Sequence, residues 1–169
     1  MKLADALGAQ LADEARHASM EASSAAAYDR AIGTKSFEQF IPHVMAQVHM
    51  IERRYEEARA VLSKMDVVGL PRRVHAVHYV DLATCALHLG DKVHLDQMLR
   101  LTERSMETQM DGDDLVYTNC RLASIYTEIG DDTLAERSLS QAKEEVTAYR
   151  AVQANLVSRL LRVTETVQP

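Results

Sequence analysis

The chain has 169 residues, of which 47% are hydrophobic and 26% charged, and its formal net charge is −6. This composition predicts a folded chain with an apolar core rather than a disordered one. The acidic charge argues against general nucleic-acid binding, because phosphates repel such a protein unless its basic residues are segregated on one face. No apolar run approaches the ~20 residues that a membrane-spanning helix needs, and acidic residues occur too early for a secretory signal. A cytoplasmic location without membrane contact is therefore predicted.

An all-α fold is predicted from the residue usage. The chain contains only 3 prolines and 6 glycines and is rich in alanine, leucine, glutamate and arginine, which are good helix formers. We find no alternating run long enough to indicate a strand. Residues 1–35 begin the chain with an Ala-rich stretch that carries Leu3, Leu7 and Leu11 on one helical stripe. They are predicted to form one or two N-terminal helices.

Residues 36–68 are predicted to form a first helical hairpin. Ser36, followed three residues later by Gln39, is typical of the capping box that begins a helix. A turn is expected at Arg53-Arg54, and a second apolar stripe begins after it. Because the connection is short, the two helices are expected to pack antiparallel.

Two further hairpins are predicted over residues 72–110 and 113–147. Their turns are Gly90-Asp91 and Gly130-Asp131, which lie 40 residues apart. Glycine can take the left-handed conformation that ends one helix, and aspartate can cap the start of the next. Each turn follows a helix whose apolar residues are spaced i, i+3, i+4 and i+7, which form one stripe. The hairpin unit therefore repeats.

The segment ASIYTEIGDDTLAERSLSQA closely resembles a tetratricopeptide repeat (TPR), and RRYEEARAVLSKM resembles the second helix of such a repeat. The resemblance implies one domain over residues 1–169, a right-handed α-α superhelix of about three TPR-like hairpins with N-terminal and C-terminal capping helices. The positions that match the signature in the third copy are Leu122, Ala123, Tyr126, Gly130, Asp131, Ala135, Leu139 and Ala142.

The resemblance also implies a binding surface. In TPR arrays the first helices of the hairpins line a concave groove, and the residues on their inward stripe contact a peptide or protein ligand. An anionic group on that ligand is expected to pair with Arg121. The groove residues implied here are Phe40, His43, Gln47, Met50, Val77, Val80, Asp81, Thr84, His88, Tyr117, Cys120, Arg121, Ser124, Thr127 and Glu128.

Residues 148–169 are predicted to form a last helix with apolar residues at steps of three and four. Two interpretations stay open. The helix either caps the last hairpin, or it provides a coiled-coil seam for a homodimer or a connector to an output domain. The seam residues would be Tyr149, Leu156, Leu160 and Val163.

The sequence contains no phosphate loop, dinucleotide fingerprint, nucleophile elbow or zinc-protease motif, so no enzyme activity and no cofactor are predicted. One group of metal-competent side chains, His78, Asp81, Cys85 and His88, shares a helix face. A single straight helix cannot close a tetrahedral site with residues spread over ~15 Å, so no metal site is predicted. Cys85 and Cys120 lack CxxC spacing and are expected to stay reduced.

Two functions remain as hypotheses. The first is a TPR-like protein-interaction module, acting as an adaptor or as a regulatory segment of a signalling protein. The alternative is a ligand-sensing dimeric regulator, in which a peptide or metabolite in the groove changes the output through the C-terminal helix. Mass measurements with and without residues 148–169 separate the two.

Overall fold

The computed structural model describes residues 41–107 and 110–166, together with positions 20, 27 and 31; side chains are described as far as Asn155, apart from Gln153. In this part of the chain all regular elements are helices, and none is a strand. None of the helices described combines the length and hydropathy that a bilayer crossing requires. The chain divides into two compact units, residues 1–108 and 109–169.

The N-terminal unit contains two helical hairpins. The first pairs α1 (Ile41–Ile51) with α2 (Tyr55–Leu62), and the second pairs α3 (His75–His88) with α4 (Lys92–Met106). Two short 3₁₀ turns, Val67–Gly69 and Arg72–Val74, connect the hairpins around Pro71. α2 also packs against α3, so α3 lies between neighbours on both sides.

The turns within these hairpins follow the sequence signals. Arg53 takes a left-handed conformation with φ 61°, and α2 begins two residues later. At the second turn Gly90 has φ 72°, and the Asp91 carboxylate accepts a hydrogen bond from the backbone N–H of His94 at 3.1 Å. This is the N-cap arrangement that aspartate favours. Both predicted turns are confirmed.

The core of the N-terminal unit is centred on α3. This helix is buried from Ala76 to His78 and again from Val80 to Ala86, so only a narrow strip of its surface meets solvent. Ala83 and Ala86 are fully buried, and their small side chains allow the neighbouring helices to approach closely. A helix buried on so many sides must satisfy its own polar side chains internally.

The C-terminal unit is one antiparallel hairpin of α5 (Gly112–Ile129) and α6 (Asp132–Thr166). Gly130 ends α5 with φ 83°, and the Asp131 carboxylate accepts from the backbone N–H of Leu134 at 3.1 Å. The buried side chains form one stripe on each helix: Thr118, Asn119, Leu122, Ile125 and Tyr126 on α5, and Ala135, Ser138 and Ala142 on α6.

α6 differs from the sequence prediction because it continues without a break through 35 residues. The predicted hairpin ends at residue 147, and a separate helix is predicted at 148–169. No glycine or proline occurs between Gly130 and Pro169, so nothing local ends the helix. At ~1.5 Å per residue α6 spans about 52 Å, roughly twice the length of the 18-residue α5. The distal half of α6 therefore extends past the start of α5.

Replacing Gly130 by alanine tests the left-handed turn of the C-terminal unit. We expect Gly130→Ala to lower the free energy of unfolding by about 1 kcal/mol, because an L side chain is strained at positive φ. A Cβ there meets nothing within 4 Å, so no steric clash adds to that cost. Urea denaturation measures the change.

Gly112→Ala is the matched control, because Gly112 lies in the first turn of α5 and has no positive φ. Its added Cβ would meet only the Glu145 carboxylate, at 4.0 Å. We expect unchanged or slightly higher stability for this variant. Equal losses for both glycines would contradict the conformational explanation.

Candidate functional site

The groove residues implied for the N-terminal unit lie mostly in its interior. Phe40 lies outside the described residues, Gln47 is half-buried and His88 is exposed. The other six, which are predicted to lie on a surface, are buried: two face the interior from α1, and four lie on α3, which is covered by its neighbours. These six are His43, Met50, Val77, Val80, Asp81 and Thr84. A partner outside this unit cannot contact them in this conformation.

Three of these groove residues, together with His78, form a polar cluster that joins α1 to α3. His43 Nε2 lies 3.1 Å from Oδ2 of Asp81, whose side chain is fully buried. Gln47, one turn further along α1, donates its side-chain amide to the same oxygen at 3.5 Å. The His78 ring meets the His43 ring edge to face, with 5.8 Å between centroids. The cluster therefore connects residues of α1 and α3 that lie 34 to 38 positions apart in sequence.

His78 is the most perturbed group of the cluster. Its pKa is lowered from 6.5 to about 4, chiefly by burial; nearby His43 and His75 also lower the pKa, and Asp81 opposes them. Its Nδ1 atom is buried and has no hydrogen-bond partner within the part of the chain that the structure describes. The cost of placing a charge in this apolar surrounding keeps the imidazole neutral at pH 7.

The metal-competent residues of α3 do not converge on one point. Cys85 is buried, whereas His88 is exposed and stacks on Tyr55 with 4.1 Å between ring centroids. Among the described residues, Asp111, Asp113 and Asp114 are the group of three whose ligand atoms all lie within 4.8 Å of one another. That group is a turn of acidic residues at the start of α5, and two of its members are exposed.

A polar cavity of about 560 Å³ lies where α2 approaches the turn between α3 and α4. Arg59 and Asp91 face each other across it, with Nη1 and Oδ2 3.1 Å apart and both side chains about 40% exposed. Glu56 and Ser63 contribute further polar groups. Solvated ion pairs of this kind hold helices weakly, and the cavity is open to water.

The groove residues implied for the C-terminal unit are accessible. Cys120, Ser124, Thr127 and Glu128 lie on α5; Cys120, Thr127 and Glu128 are exposed. Tyr117 and Arg121 are half-buried and interact one turn apart. The Arg121 guanidinium lies 5.2 Å from the Tyr117 ring centroid, and its Nε donates to the Tyr117 hydroxyl at 3.1 Å. Arg121 therefore holds the Tyr117 side chain in place on α5.

An apolar cavity of about 510 Å³ opens between α5 and α6 at the start of α5. Tyr117 and Cys120 line it from α5, and Tyr149 lines it from α6. Its remaining walls are Gly112, Asp113, Val116, Val146 and Arg150. The sequence analysis assigns Tyr117 and Cys120 to the groove and Tyr149 to the seam, and the structure brings these three together. The side chains of Leu156, Leu160 and Val163, the other seam residues, lie outside the described part.

The cavity joins a wall of apolar side chains to a charged rim. Asp113 and Arg150 are both exposed and stand at its edge, whereas Val116 and Val146 are half-buried inside it. Tyr149 is 60% exposed, which is unusual for a large aromatic side chain in a folded unit. Such an exposed aromatic next to an apolar recess is typical of a surface that contacts another polypeptide.

No protein-family model, no curated protein and no solved structure matches this chain. The resemblance to TPR proteins therefore rests on the signature residues of the sequence.

Val116, Val146 and Arg150 line the cavity but are not among the predicted groove or seam residues. Val146 and Arg150 lie on α6, where a boundary is predicted between the third hairpin and the last helix. That boundary separates them from the α5 residues that they face. The absence of any helix breaker around residue 147 is the signal that would have joined them.

The two cysteines provide a chemical test of this geometry. Neither forms a disulfide; Cys120 is exposed in the cavity wall and Cys85 is buried in α3. We expect maleimide to label one thiol in the native protein, at Cys120, and two thiols in denaturant. Intact-mass spectrometry counts the labels, and peptide mapping identifies the labelled position. Native labelling at Cys85 would contradict the burial of α3.

Proposed function

We propose that this chain is a non-catalytic, TPR-like protein-interaction module, and that the cavity between α5 and α6 receives apolar side chains of a helical or extended polypeptide. The observation that carries the proposal is the cavity itself, with exposed Tyr149 beside an apolar recess. Its size falls in the range of specific binding sites. The stacking of the hairpins as a right-handed superhelix is part of the same proposal.

A polypeptide occupant fits the shape and position of the cavity. The recess opens at the end of the hairpin where α6 continues past the start of α5, so an elongated ligand can enter the cavity and follow α6. Anchoring by a few apolar side chains spaced i, i+3 or i+4 is the usual way in which a helix docks in a groove. The charged groups at the rim, Asp113 and Arg150, would orient the ligand and contribute little to its affinity.

A catalytic role is less well supported because the one cluster of histidine and carboxylate side chains that joins α1 to α3 is inaccessible. His43, His78 and Asp81 lie in the core of the N-terminal unit, where a substrate cannot reach them without unfolding part of that unit. General acid–base catalysis requires the group to lie within hydrogen-bond reach of the reacting atom. The cavity of the C-terminal unit is instead apolar and aromatic, as for a binding surface.

Capture by the immobilised chain tests this function. We expect Tyr149→Glu and Tyr117→Ala each to reduce the proteins retained from a cell extract at least tenfold, because each removes an aromatic wall of the cavity. Thermal melting should change little, since neither side chain is fully buried. Quantitative mass spectrometry of the retained proteins provides the measurement.

Leu139→Glu is the matched control. Leu139 is an apolar residue of the same helix, is 43% exposed and does not line the cavity. This variant should retain the same proteins as the unmodified chain. If the two tyrosine variants retain these proteins as well as the unmodified chain does, the cavity is not the binding site. The proposed function would then be wrong for this surface.

A further inference from the structure

Acidic side chains stand around the opening of the cavity between α5 and α6. Asp113 lines it, and a carboxylate oxygen of Asp111 and one of Asp114 lie within 4.8 Å of one on Asp113. From α6, the Glu145 carboxylate reaches the same end of the hairpin, where its Oε2 lies 4.0 Å from the position that a Cβ on Gly112 would take. Gly112 is itself part of the cavity wall. Four carboxylates therefore lie at one end of an apolar recess.

Positive charge is scarcer among the described residues at this end of the hairpin. Arg150 is the basic residue that lines the cavity, and the guanidinium of Arg121 lies against the Tyr117 ring. The N-terminus of α5 adds about half a positive charge. By its volume the cavity is roughly 8 Å across, comparable with the ~8 Å screening length at physiological salt. A ligand in the cavity therefore lies close enough to sense the excess of carboxylates.

We propose that the partner received by this cavity is an amphipathic helix with basic residues one turn from its apolar anchors. The inference rests on the proposed function, because it gives the chemistry of the polypeptide that the same cavity binds. The anchors would enter the recess lined by Val146 and Tyr149, and a lysine or arginine of the partner would meet Asp113 and Glu145. Hydrogen bonds between such charged groups are stronger than those between neutral ones.

A helix provides the spacing that the cavity requires. Asp113 precedes the wall residues Val116 and Tyr117 by three and four positions on α5, so acidic and apolar groups lie one turn apart on one face. A partner helix with lysine three or four positions from leucine or tryptophan presents complementary groups at the same separation. The match therefore concerns the position of the charge relative to the anchor as well as its sign.

An acidic partner fits this surface less well. Its carboxylates would meet Arg150, but they would also bring negative charge to Asp113 and Glu145 across a cavity no wider than the screening length. Like charges that face each other across an interface select against a partner and slow its association. The formal net charge of −6 acts in the same direction, because it attracts a basic ligand from a distance.

Two synthetic peptides test the sign of the charge. Both are amphipathic helices with one tryptophan and several leucines at steps of three and four; one carries lysine at the remaining positions, and its counterpart carries glutamate. The chain contains no tryptophan, so indole fluorescence reports the peptide alone, and a shift to shorter wavelength reports its entry into an apolar site. We expect stopped-flow association with the full chain to be about tenfold faster for the lysine peptide at low salt. At ~1 M salt, where the screening length is ~3 Å, the two rates should converge.

Charge reversals test whether the acidic groups at the cavity select the peptide. Asp113→Lys should slow association of the lysine peptide about threefold, and Arg150→Glu should accelerate it. Glu136→Lys is the matched control, because Glu136 is an exposed residue of α6 that does not line the cavity, and its reversal changes the net charge by the same amount as Asp113→Lys. The control should leave the rate nearly unchanged. Equal slowing by both lysine variants would show that only the overall charge matters and would overturn the inference.

Three other results would overturn it. Equal association of the two peptides at low salt, with a fluorescence shift that Tyr149→Glu abolishes, would keep the proposed function and exclude selection by charge. A mass of twice the 18.9 kDa of one chain that Tyr149→Glu halves would identify a second copy as the occupant. Absence of any shift with the lysine peptide at up to ~1 mM would exclude a basic helix, and the capture experiment would then decide the proposed function by itself.

Discussion

Acidification from pH 7 to about 4.5 is expected to destabilise the N-terminal unit by roughly 2–3 kcal/mol through His78 alone. Burial, reinforced by His43 and His75 and opposed by Asp81, lowers the pKa of this imidazole from 6.5 to about 4. Between these two values the unfolded chain binds a proton that the folded chain does not. Stability is therefore complete above pH 6.5 and is lost as the pH falls towards 4.

The measurement is urea denaturation of the full chain between pH 7 and 4.5, compared with a His78→Leu variant. Other carboxylates contribute to acid unfolding in both proteins, so the difference between the two pH slopes isolates His78. Between pH 7 and 4.5 the free energy of unfolding of the variant should fall by about 2–3 kcal/mol less than that of the unmodified chain. An NMR titration of the His78 ring provides an independent readout, and a midpoint near 6.5 would contradict the expected shift.

The turns and the helical class could be predicted because their causes are local. Gly90 and Gly130 have the left-handed conformation that ends a helix, and Asp91 and Asp131 accept the capping hydrogen bonds. These preferences depend on neighbouring residues only. The turns can therefore be predicted from the sequence alone, without the tertiary structure.

The interior position of the polar residues on α3 could not be predicted in the same way. Helical spacing places His78 and Asp81 on one face, but spacing alone does not show whether that face meets solvent or core. His43, which lies 38 residues before Asp81, decides the outcome, because its imidazole compensates a carboxylate that would otherwise be costly to bury. Such a pairing becomes visible only when α1 and α3 are packed together.

The residues that line the cavity of the C-terminal unit could be predicted only in part, for a different reason. Its α5 residues Tyr117 and Cys120 follow from the family resemblance, whereas Val146 and Tyr149 come from a segment interpreted as a separate helix. The resemblance favours a boundary after the second helix of the repeat, and the local sequence contains no glycine or proline to make one. Local helix propensity was the better guide here, and it joins the second helix of the hairpin and the residues that follow it into one helix, Asp132–Thr166.

Removing the Asp81 carboxylate is expected to cost the N-terminal unit about 3–5 kcal/mol. Asp81 is fully buried and accepts from His43 and Gln47, so Asp81→Ala deprives both side chains of this acceptor. His43→Ala should also be destabilising. The double variant should lose less free energy of unfolding than the two single variants lose together. The difference, which is the coupling free energy between the two side chains, should be roughly 1–3 kcal/mol. Urea denaturation of the four proteins at pH 7 gives these values.

Arg59→Ala separates the effect of burial from that of distance. Arg59 and Asp91 lie 3.1 Å apart, the same separation as His43 and Asp81, but both of their side chains are about 40% exposed. Water and salt screen this pair, so its loss should cost less than about 1 kcal/mol. If Asp81→Ala were no more destabilising than Arg59→Ala, the polar cluster would not hold α1 against α3. The large difference that we expect would identify burial of the carboxylate as the reason that these two helices stay together.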